Sequence, residues 1–186
     1  MTIDWVQMAG AVLGLANIVL LVRRSVWNFP VAMVMVSLIG VVMVRERLYA
    51  EAGLQAFFFV VNGWGWWLWL RAARDAGEIP VGWMGRQARL AWGAATIALS
   101  LSLGWLLHRF TNATLPFADS AVTGASITAQ ILLSLRRIEN WVLWVAIDVA
   151  SVALYLNRGL FFLAALYVAF GVLSWQGLRE WRAAAR

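Results

Sequence analysis

Long apolar stretches separated by short polar segments dominate this chain. Seven stretches can be marked off, and they cover roughly residues 5–22, 29–44, 48–70, 90–107, 120–135, 141–156 and 159–178. A helix needs about 20 residues to cross the hydrocarbon core of a bilayer, with a range of about 17–25. The second, fifth and sixth stretches are shorter, so we expect flanking residues such as Trp27, Asn28 and Asn140 to extend them. The stretches are too long and too uniformly apolar for the alternating strands of a membrane barrel. The pattern therefore predicts an all-α integral membrane protein with seven transmembrane helices.

Composition supports this prediction and narrows the class. The chain has 186 residues, of which 63% are hydrophobic, and its mean hydropathy is +0.76. This length predicts a single transmembrane domain over residues 1–186. The net charge of +6 comes from arginine alone, since the chain has no lysine. Because the arginines lie between apolar stretches, they indicate membrane orientation rather than binding of nucleic acid. The first stretch carries Asp4 where a signal peptide has basic residues, so we interpret it as a spanning helix.

The arginines also predict the orientation of the chain. One side of the membrane receives four of them: Arg45, Arg47, Arg109 and Arg158. The other side receives eleven: Arg23, Arg24, Arg71, Arg74, Arg86, Arg89, Arg136, Arg137, Arg179, Arg182 and Arg186. Cytoplasmic loops carry the excess of basic residues, so we expect the C-terminus in the cytoplasm and the N-terminus outside.

An internal repeat is visible when the chain is shifted by 112 residues, so that Asn28 lies on Asn140. Between Asn28 and Trp69 this offset, the repeat shift, gives eight identities, which include Gly65 with Gly177 and Trp69 with Trp181. It maps the second stretch onto the sixth and the third onto the seventh. Because an offset of four spans preserves the direction in which a helix crosses the membrane, the two repeats run in the same direction. We expect a repeat at about residues 5–70, a linker helix at about 88–108 and a second repeat at about 119–181. Parallel repeats of this kind are a transporter architecture with a central substrate site.

Polar residues inside the apolar stretches recur at helical spacing and form stripes. The stripes comprise Gln7, Gly10, Gly14 and Asn17 in the first stretch, Gln55, Asn62, Trp66 and Trp69 in the third, and Asp119, Thr123, Ser126 and Gln130 in the fifth. Polar side chains are costly against lipid, so these faces should turn inward. The alternative to a binding site is hydrogen bonding between helices, worth about 0.6 kcal/mol per pair, or close packing along the glycines.

The sixth stretch carries the strongest indication of a site. Trp141, Trp144, Asp148, Ser151 and Tyr155 share one helical face. A carboxylate inside a span costs about 2.5–3.5 kcal/mol on insertion scales and therefore usually marks a function. Aromatic faces beside a carboxylate suit a flat, cationic ring. Two alternatives remain open, since Trp141 lies near a span end and could anchor at the interface, and Asp148 could bond another helix.

Most other tryptophans are expected in the interfacial belts of the membrane. Trp27, Trp83, Trp92 and Trp181 lie near the ends of apolar stretches, where interfacial anchoring is common. Four further tryptophans point around the third stretch, so most of them are expected in a belt: Trp64, Trp66, Trp67 and Trp69.

Several of these segments resemble the PnuC family of bacterial vitamin transporters. They are residues 137–144 with their WxxW element, Tyr155 and residues 160–181, residues 48–69, and residues 119–130 before two arginines. The resemblance implies a SWEET-like 3+1+3 fold, homotrimers in the inner membrane, and facilitated diffusion of nicotinamide riboside with trapping by cytoplasmic phosphorylation. Relatives that carry thiamine or riboflavin leave those vitamins, or another nucleoside, as alternative substrates.

The resemblance also implies which residues bind the substrate. The family's site matches Gln55, Thr123, Gln130, Trp141, Trp144 and Tyr167 here. The polar stripes add Asn62 and Asp148, and Asp148 departs from the asparagine that is usual in the family. We therefore expect a small cationic vitamin or nucleoside as the partner.

Other classes of protein are less compatible with the sequence. An intramembrane enzyme needs an activated nucleophile or a metal cluster, whereas the chain has no cysteine, a single histidine and no HExxH or GxSxG motif. No cofactor and no metal are expected. A structural scaffold would have no reason to place Asp148 behind two tryptophans. Because Asp148 is the one acid well inside a span, we expect transport that is not coupled to protons or sodium.

Overall fold

The computed structural model describes residues 5–45, 47, 49–111 and 114–185 and contains seven α-helices. These are α1 (Trp5–Val22), α2 (Asn28–Arg45), α3 (Tyr49–Ala76), α4 (Arg86–Phe110), α5 (Pro116–Ser134), α6 (Glu139–Asn157) and α7 (Phe161–Ala184). Each coincides with one predicted apolar stretch, so the all-α architecture is confirmed. The second and sixth stretches are extended as expected, since α2 begins at Asn28 and α6 at Glu139.

Four of the described helices are long and apolar enough to cross a membrane by composition alone. These are α2, α4, α6 and α7. The helices α3 and α5 instead carry the polar stripes seen in the sequence, which lower their hydropathy. These stripes need an environment other than lipid.

The helix ends are set by residues with left-handed backbone conformation. Arg24 and Arg136 have φ values of 56° and 59° directly after α1 and α5. Arg47 and Gly159 have φ values of 59° and 70° after α2 and α6. A left-handed residue closes the last helical turn and reverses the chain. The repeat shift places Arg24 on Arg136 and Arg47 on Gly159, so the left-handed turns occur at matching positions of the sequence repeat.

Six of the helices form a closed ring. Helix α1 packs on α2, α2 on α3, α3 on α5, α5 on α6, α6 on α7, and α7 returns to α1. Helix α4 packs on α5 alone among the described helices and therefore lies outside the ring. The interior of the ring is available to the polar faces of its members.

Small residues hold α4 against α5. Thr96 and Thr128 share a hydrogen bond of 2.9 Å between their hydroxyl oxygens. A Cβ added to Gly124 would overlap Ser100, and one added to Gly104 would overlap the Phe117 ring. Backbones that approach this closely require glycine, serine or threonine at the contact, as in many membrane helix pairs.

An aromatic cluster closes the arginine-rich end of the ring. Phe29, Trp69, Trp141 and Trp181 are each at most 1% exposed. Ring centroids lie 5.1 Å apart for Phe29 and Trp69, 5.8 Å for Trp69 and Trp181, and 5.5 Å for Trp141 and Trp181. The interfacial position expected for Trp181 is therefore wrong. Trp69 is likewise buried in the ring and does not lie in the interfacial belt that was expected for most tryptophans of α3.

The two central tryptophans form reciprocal hydrogen bonds. The indole Nε1 of Trp69 donates to the Leu133 carbonyl of α5 at 3.3 Å, and that of Trp181 donates to the Leu21 carbonyl of α1 at 3.3 Å. The repeat shift relates the two donors to each other and the two acceptors to each other. Glycine permits the matching close contacts, since a Cβ at Gly65 would lie 2.6 Å from Phe29 and one at Gly177 would overlap Trp141.

The segment between α3 and α4 crosses the same end of the ring. Gly82 donates its N–H to the Arg136 carbonyl at 3.2 Å and accepts from Ile138 N–H at 3.1 Å. One oxygen of Glu139, at the start of α6, accepts from Met84 N–H at 2.9 Å and from Arg89 Nε at 2.7 Å. These bonds fasten residues 77–85 across the turn between α5 and α6.

Candidate substrate-binding cavity

A cavity of about 340 Å³ lies inside the ring. All six helices of the ring line it, and α4 contributes no residue to its wall. The volume lies at the lower end of the range of about 300–1,000 Å³ that is usual for small-molecule sites. The cavity is therefore large enough for one small ligand.

The eight residues predicted from the sequence come together in this cavity. They are Gln55, Asn62, Thr123, Gln130, Trp141, Trp144, Asp148 and Tyr167. Several members of the same sequence stripes do not line it, namely Gly10, Trp66, Trp69, Asp119, Ser151 and Tyr155. The side chain of Gln7 lies outside the described part of the chain.

Further lining residues were not predicted as site residues. Asn17, from the stripe assigned to helix packing, lines the cavity, and its Oδ1 atom is buried without a partner in the described structure. Ser126 and Ser174 also face the cavity, as do the aromatic side chains of Phe58 and Phe170. Ser174 occupies the position that the repeat shift pairs with Asn62, and this was the available signal.

Two amide side chains form a fixed polar group on the wall between α3 and α5. Gln130 Nε2 donates to Asn62 Oδ1 at 3.0 Å, and Asn62 Nδ2 donates to the Phe58 carbonyl at 2.8 Å. Asn62 is 3% and Gln130 8% exposed. The side-chain oxygen Oε1 of Gln130 has no partner among the described residues and is free to accept from a ligand.

The acidic group of the cavity lies on α6. Asp148 is 4% exposed, and its Oδ2 accepts a hydrogen bond from Ser174 Oγ of α7 at 2.8 Å. Its Oδ1 has no hydrogen-bond partner among the described residues. A buried carboxylate with one oxygen unoccupied can accept a hydrogen bond from a ligand or attract a cation.

The two tryptophans of the WxxW element differ in their surroundings. Trp141 is 1% exposed, stacks edge-on against Trp181 and belongs to the aromatic cluster at the cavity floor. Trp144 is half-buried on the cavity wall, one helical turn before Asp148. Trp144 can therefore offer a ring face to a ligand, whereas most of the Trp141 ring is already packed against other side chains of the protein.

The far wall of the cavity carries Gln55, Thr123 and Tyr167. The side chain of Gln55 makes no hydrogen bond within the described structure. Both the oxygen and the nitrogen of its side-chain amide are therefore available to a ligand. The Tyr167 ring packs against Tyr155 and Phe170, with centroid distances of 5.2 Å and 5.4 Å. The Thr123 hydroxyl donates to the carbonyl of Asp119, one turn earlier, at 3.0 Å.

Comparison with known families matches nearly the whole chain. The model of the family described as "Nicotinamide mononucleotide transporter" matches residues 4–183. The chain belongs to this family. Membership in a transporter family, together with the apolar helices, makes it a multi-pass membrane protein and agrees with the predicted resemblance to PnuC.

Named members of the family support the same grouping. The chain is 27% identical to the nicotinamide riboside transporter PnuC of Escherichia coli over 99% of its own length and 87% of that protein. It is 30% identical to the riboflavin/roseoflavin transporter RibM of Streptomyces davaonensis over 96% of its length and 85% of that protein.

A solved structure from the family shares the fold. The crystal structure of the vitamin B3 transporter PnuC is similar with a TM-score of 0.79 and 24% identity, covering 97% of this chain and 82% of the other. At this identity the likeness establishes the fold alone.

Proposed function

We propose that the chain carries nicotinamide riboside across the bacterial inner membrane by facilitated diffusion. The observation that supports this most strongly is the cavity wall, where Trp144 lies one turn from the buried carboxylate of Asp148. Indole faces and carboxylates both attract a planar cation, and the pyridinium ring of nicotinamide riboside is such a group. The side-chain amide of Gln55 and the unpartnered Oε1 of Gln130 can bond its carboxamide and ribose hydroxyls.

The cavity favours a nucleoside over a nucleotide. Among the described residues no arginine or histidine lines it, and the chain has no lysine. A phosphate would therefore enter the membrane interior without a compensating cation and beside Asp148, which is costly. For the same reason, a substrate that has been phosphorylated in the cytoplasm would bind the cavity poorly and would not be carried back out, which supports metabolic trapping.

Riboflavin is the second candidate, because RibM is among the similar proteins, and thiamine is a third. Calorimetry of the purified protein with nicotinamide riboside, thiamine, riboflavin and unmodified nucleosides separates these candidates. We expect nicotinamide riboside to bind most tightly. Absence of binding to all four ligands by a folded protein would contradict the proposed function.

Transport is expected to be uncoupled. Asp148 is the single carboxylate among the described cavity-lining residues, and coupled carriers generally use several intramembrane acids or unwound helices. Uptake of labelled nicotinamide riboside into liposomes should stop at equal concentrations on both sides and should not respond to proton or sodium gradients. Accumulation above equilibrium in liposomes without a kinase would contradict this prediction.

The architecture that we propose is a parallel 3+1+3 repeat, SWEET-like, with α4 as the linker helix. It is supported by the reciprocal tryptophan bonds and by the left-handed turn residues, which the repeat shift relates in each case. In an experimental structure, residues 120–178 are expected to superpose on residues 5–66 by rotation about an axis normal to the membrane. Antiparallel halves would contradict the repeat.

We also propose the orientation and the assembly. The excess of arginines in the described segments at the end closed by the aromatic cluster supports a cytoplasmic position for that end and for the C-terminus, with the N-terminus outside. The resemblance to PnuC supports a homotrimer in the inner membrane.

A further inference from the structure

The carboxyl group of Asp148 has no ion-pair partner in the described structure. The ion pairs in the described structure are Arg24–Glu78, Arg89–Glu139 and Arg158–Asp119, and none involves Asp148. Within the described part of the chain, no other carboxylate and no basic side chain lines the cavity. Any positive charge that offsets Asp148 inside the ring must therefore come from the ligand.

The carboxylate is held in one orientation. Ser174 is 2% exposed and occupies Oδ2, which leaves Oδ1 for the cavity. Gly171 of α7 lies next to Asp148, since a Cβ built at this position would lie 3.4 Å from the Cβ of Asp148, which is van der Waals contact.

The charge is confined to one side of the cavity. The repeat shift pairs Asp148 with Val36, which lines the opposite half of the cavity from α2 and is 5% exposed. It likewise pairs Trp144 with Ala32. The ring face and the carboxylate therefore occur together on α6 alone, and a cationic ring has one favourable place to bind.

We propose that Asp148, oriented by Ser174, is a specificity-determining residue that selects ligands with a fixed positive charge on an aromatic ring. The proposal rests on the proposed transport of a vitamin through this cavity and specifies its substrate class. The site then distinguishes the oxidation state of a pyridine nucleoside. It accepts the cationic pyridinium and disfavours the neutral dihydropyridine of nearly the same shape, and it disfavours neutral flavins as well.

The test compares nicotinamide riboside with its reduced form by calorimetry on the purified protein. We expect the wild-type protein to bind the cation about tenfold more tightly or better, since attraction between unit charges grows as the effective dielectric falls below that of water. In Asp148→Asn the two affinities should come within about threefold, because the substitution removes the charge and keeps the shape. Asp119→Asn removes the same charge outside the cavity and should keep the wild-type ratio.

Ser174→Ala is the second variant and keeps the carboxylate. Loss of the orienting hydrogen bond should lower the ratio of the two affinities by a smaller factor than Asp148→Asn does. An unchanged ratio in a folded Ser174→Ala variant would overturn the orienting role of Ser174. This variant also keeps the proposal testable where Asp148→Asn does not fold.

The outcomes separate the two proposals. Equal binding of both ribosides by the wild type, or a ratio unchanged by Asp148→Asn, overturns charge selection while transport of nicotinamide riboside stands. If the protein binds riboflavin but neither nicotinamide riboside nor thiamine, charge selection is also overturned and the second candidate function is favoured. Absence of binding to every vitamin by a folded protein contradicts the proposed function itself.

Discussion

Alanine in place of Trp144 is expected to weaken substrate binding strongly while the protein stays folded. Stacking of a base or a cation on an aromatic side chain is worth about 1–3 kcal/mol, which corresponds to a loss of about 5–150-fold in affinity. Trp144 is half-buried on the cavity wall and packs against the fully buried cluster without belonging to it, so its truncation removes a cavity-facing ring and leaves the cluster in place. Calorimetry with nicotinamide riboside measures the loss.

The matched control is Trp175→Ala, which removes a tryptophan that is 54% exposed and does not line the cavity. This variant should bind like the wild type. Near-normal affinity in a folded Trp144→Ala protein would show that the ligand does not stack on Trp144 and that the ring serves the helix packing alone.

Truncation of Trp141 is expected to act mainly on stability. The side chain is 1% exposed, contacts Trp181 edge-on and fills the space above Gly177. Replacement of a buried tryptophan by alanine costs about 3–5 kcal/mol because a cavity remains. Trp141→Ala should therefore lower the melting temperature in detergent far more than Trp144→Ala does.

The same Trp175→Ala variant serves as the stability control, since an exposed ring leaves no internal cavity. A melting temperature of Trp141→Ala equal to that of the control would contradict the structural role. Full stability with lost binding would assign Trp141 to the substrate site alone.

The helices and the composition of the cavity were predictable because both depend on local patterns. The cost of polar side chains in lipid turns the faces of Gln55, Asn62 and Gln130 inward, whichever helices they meet. Helical spacing aligned Trp144 with Asp148, and the structure places both on the cavity wall. Their roles in binding stay predictions.

Contacts between distant helices were not predictable, because spacing indicates a face but not its neighbour. Trp181 lies near a helix end, where an interfacial tryptophan would also lie. It is buried by Trp69 of α3, Trp141 of α6 and Leu21 of α1, which meet it only in the assembled ring. Asn17 shares its stripe with two glycines, and this pattern favoured close helix packing over a substrate site as its interpretation. The partnership of Ser174 with Asp148 depends on the register of α6 against α7, which no single-helix pattern contains.

The reciprocal bonds of Trp69 and Trp181 make the two halves of the chain depend on each other. Each indole completes the last turn of a helix that belongs to the other half of the chain, since the acceptors are Leu133 and Leu21. Each carbonyl also accepts from the N–H of the turn that follows its own helix, Arg24 or Arg136. The indole N–H has no second partner, so separating the halves would bury it unsatisfied, which is unfavourable. The two halves therefore satisfy each other's buried donors, and we expect neither half to fold stably without the other.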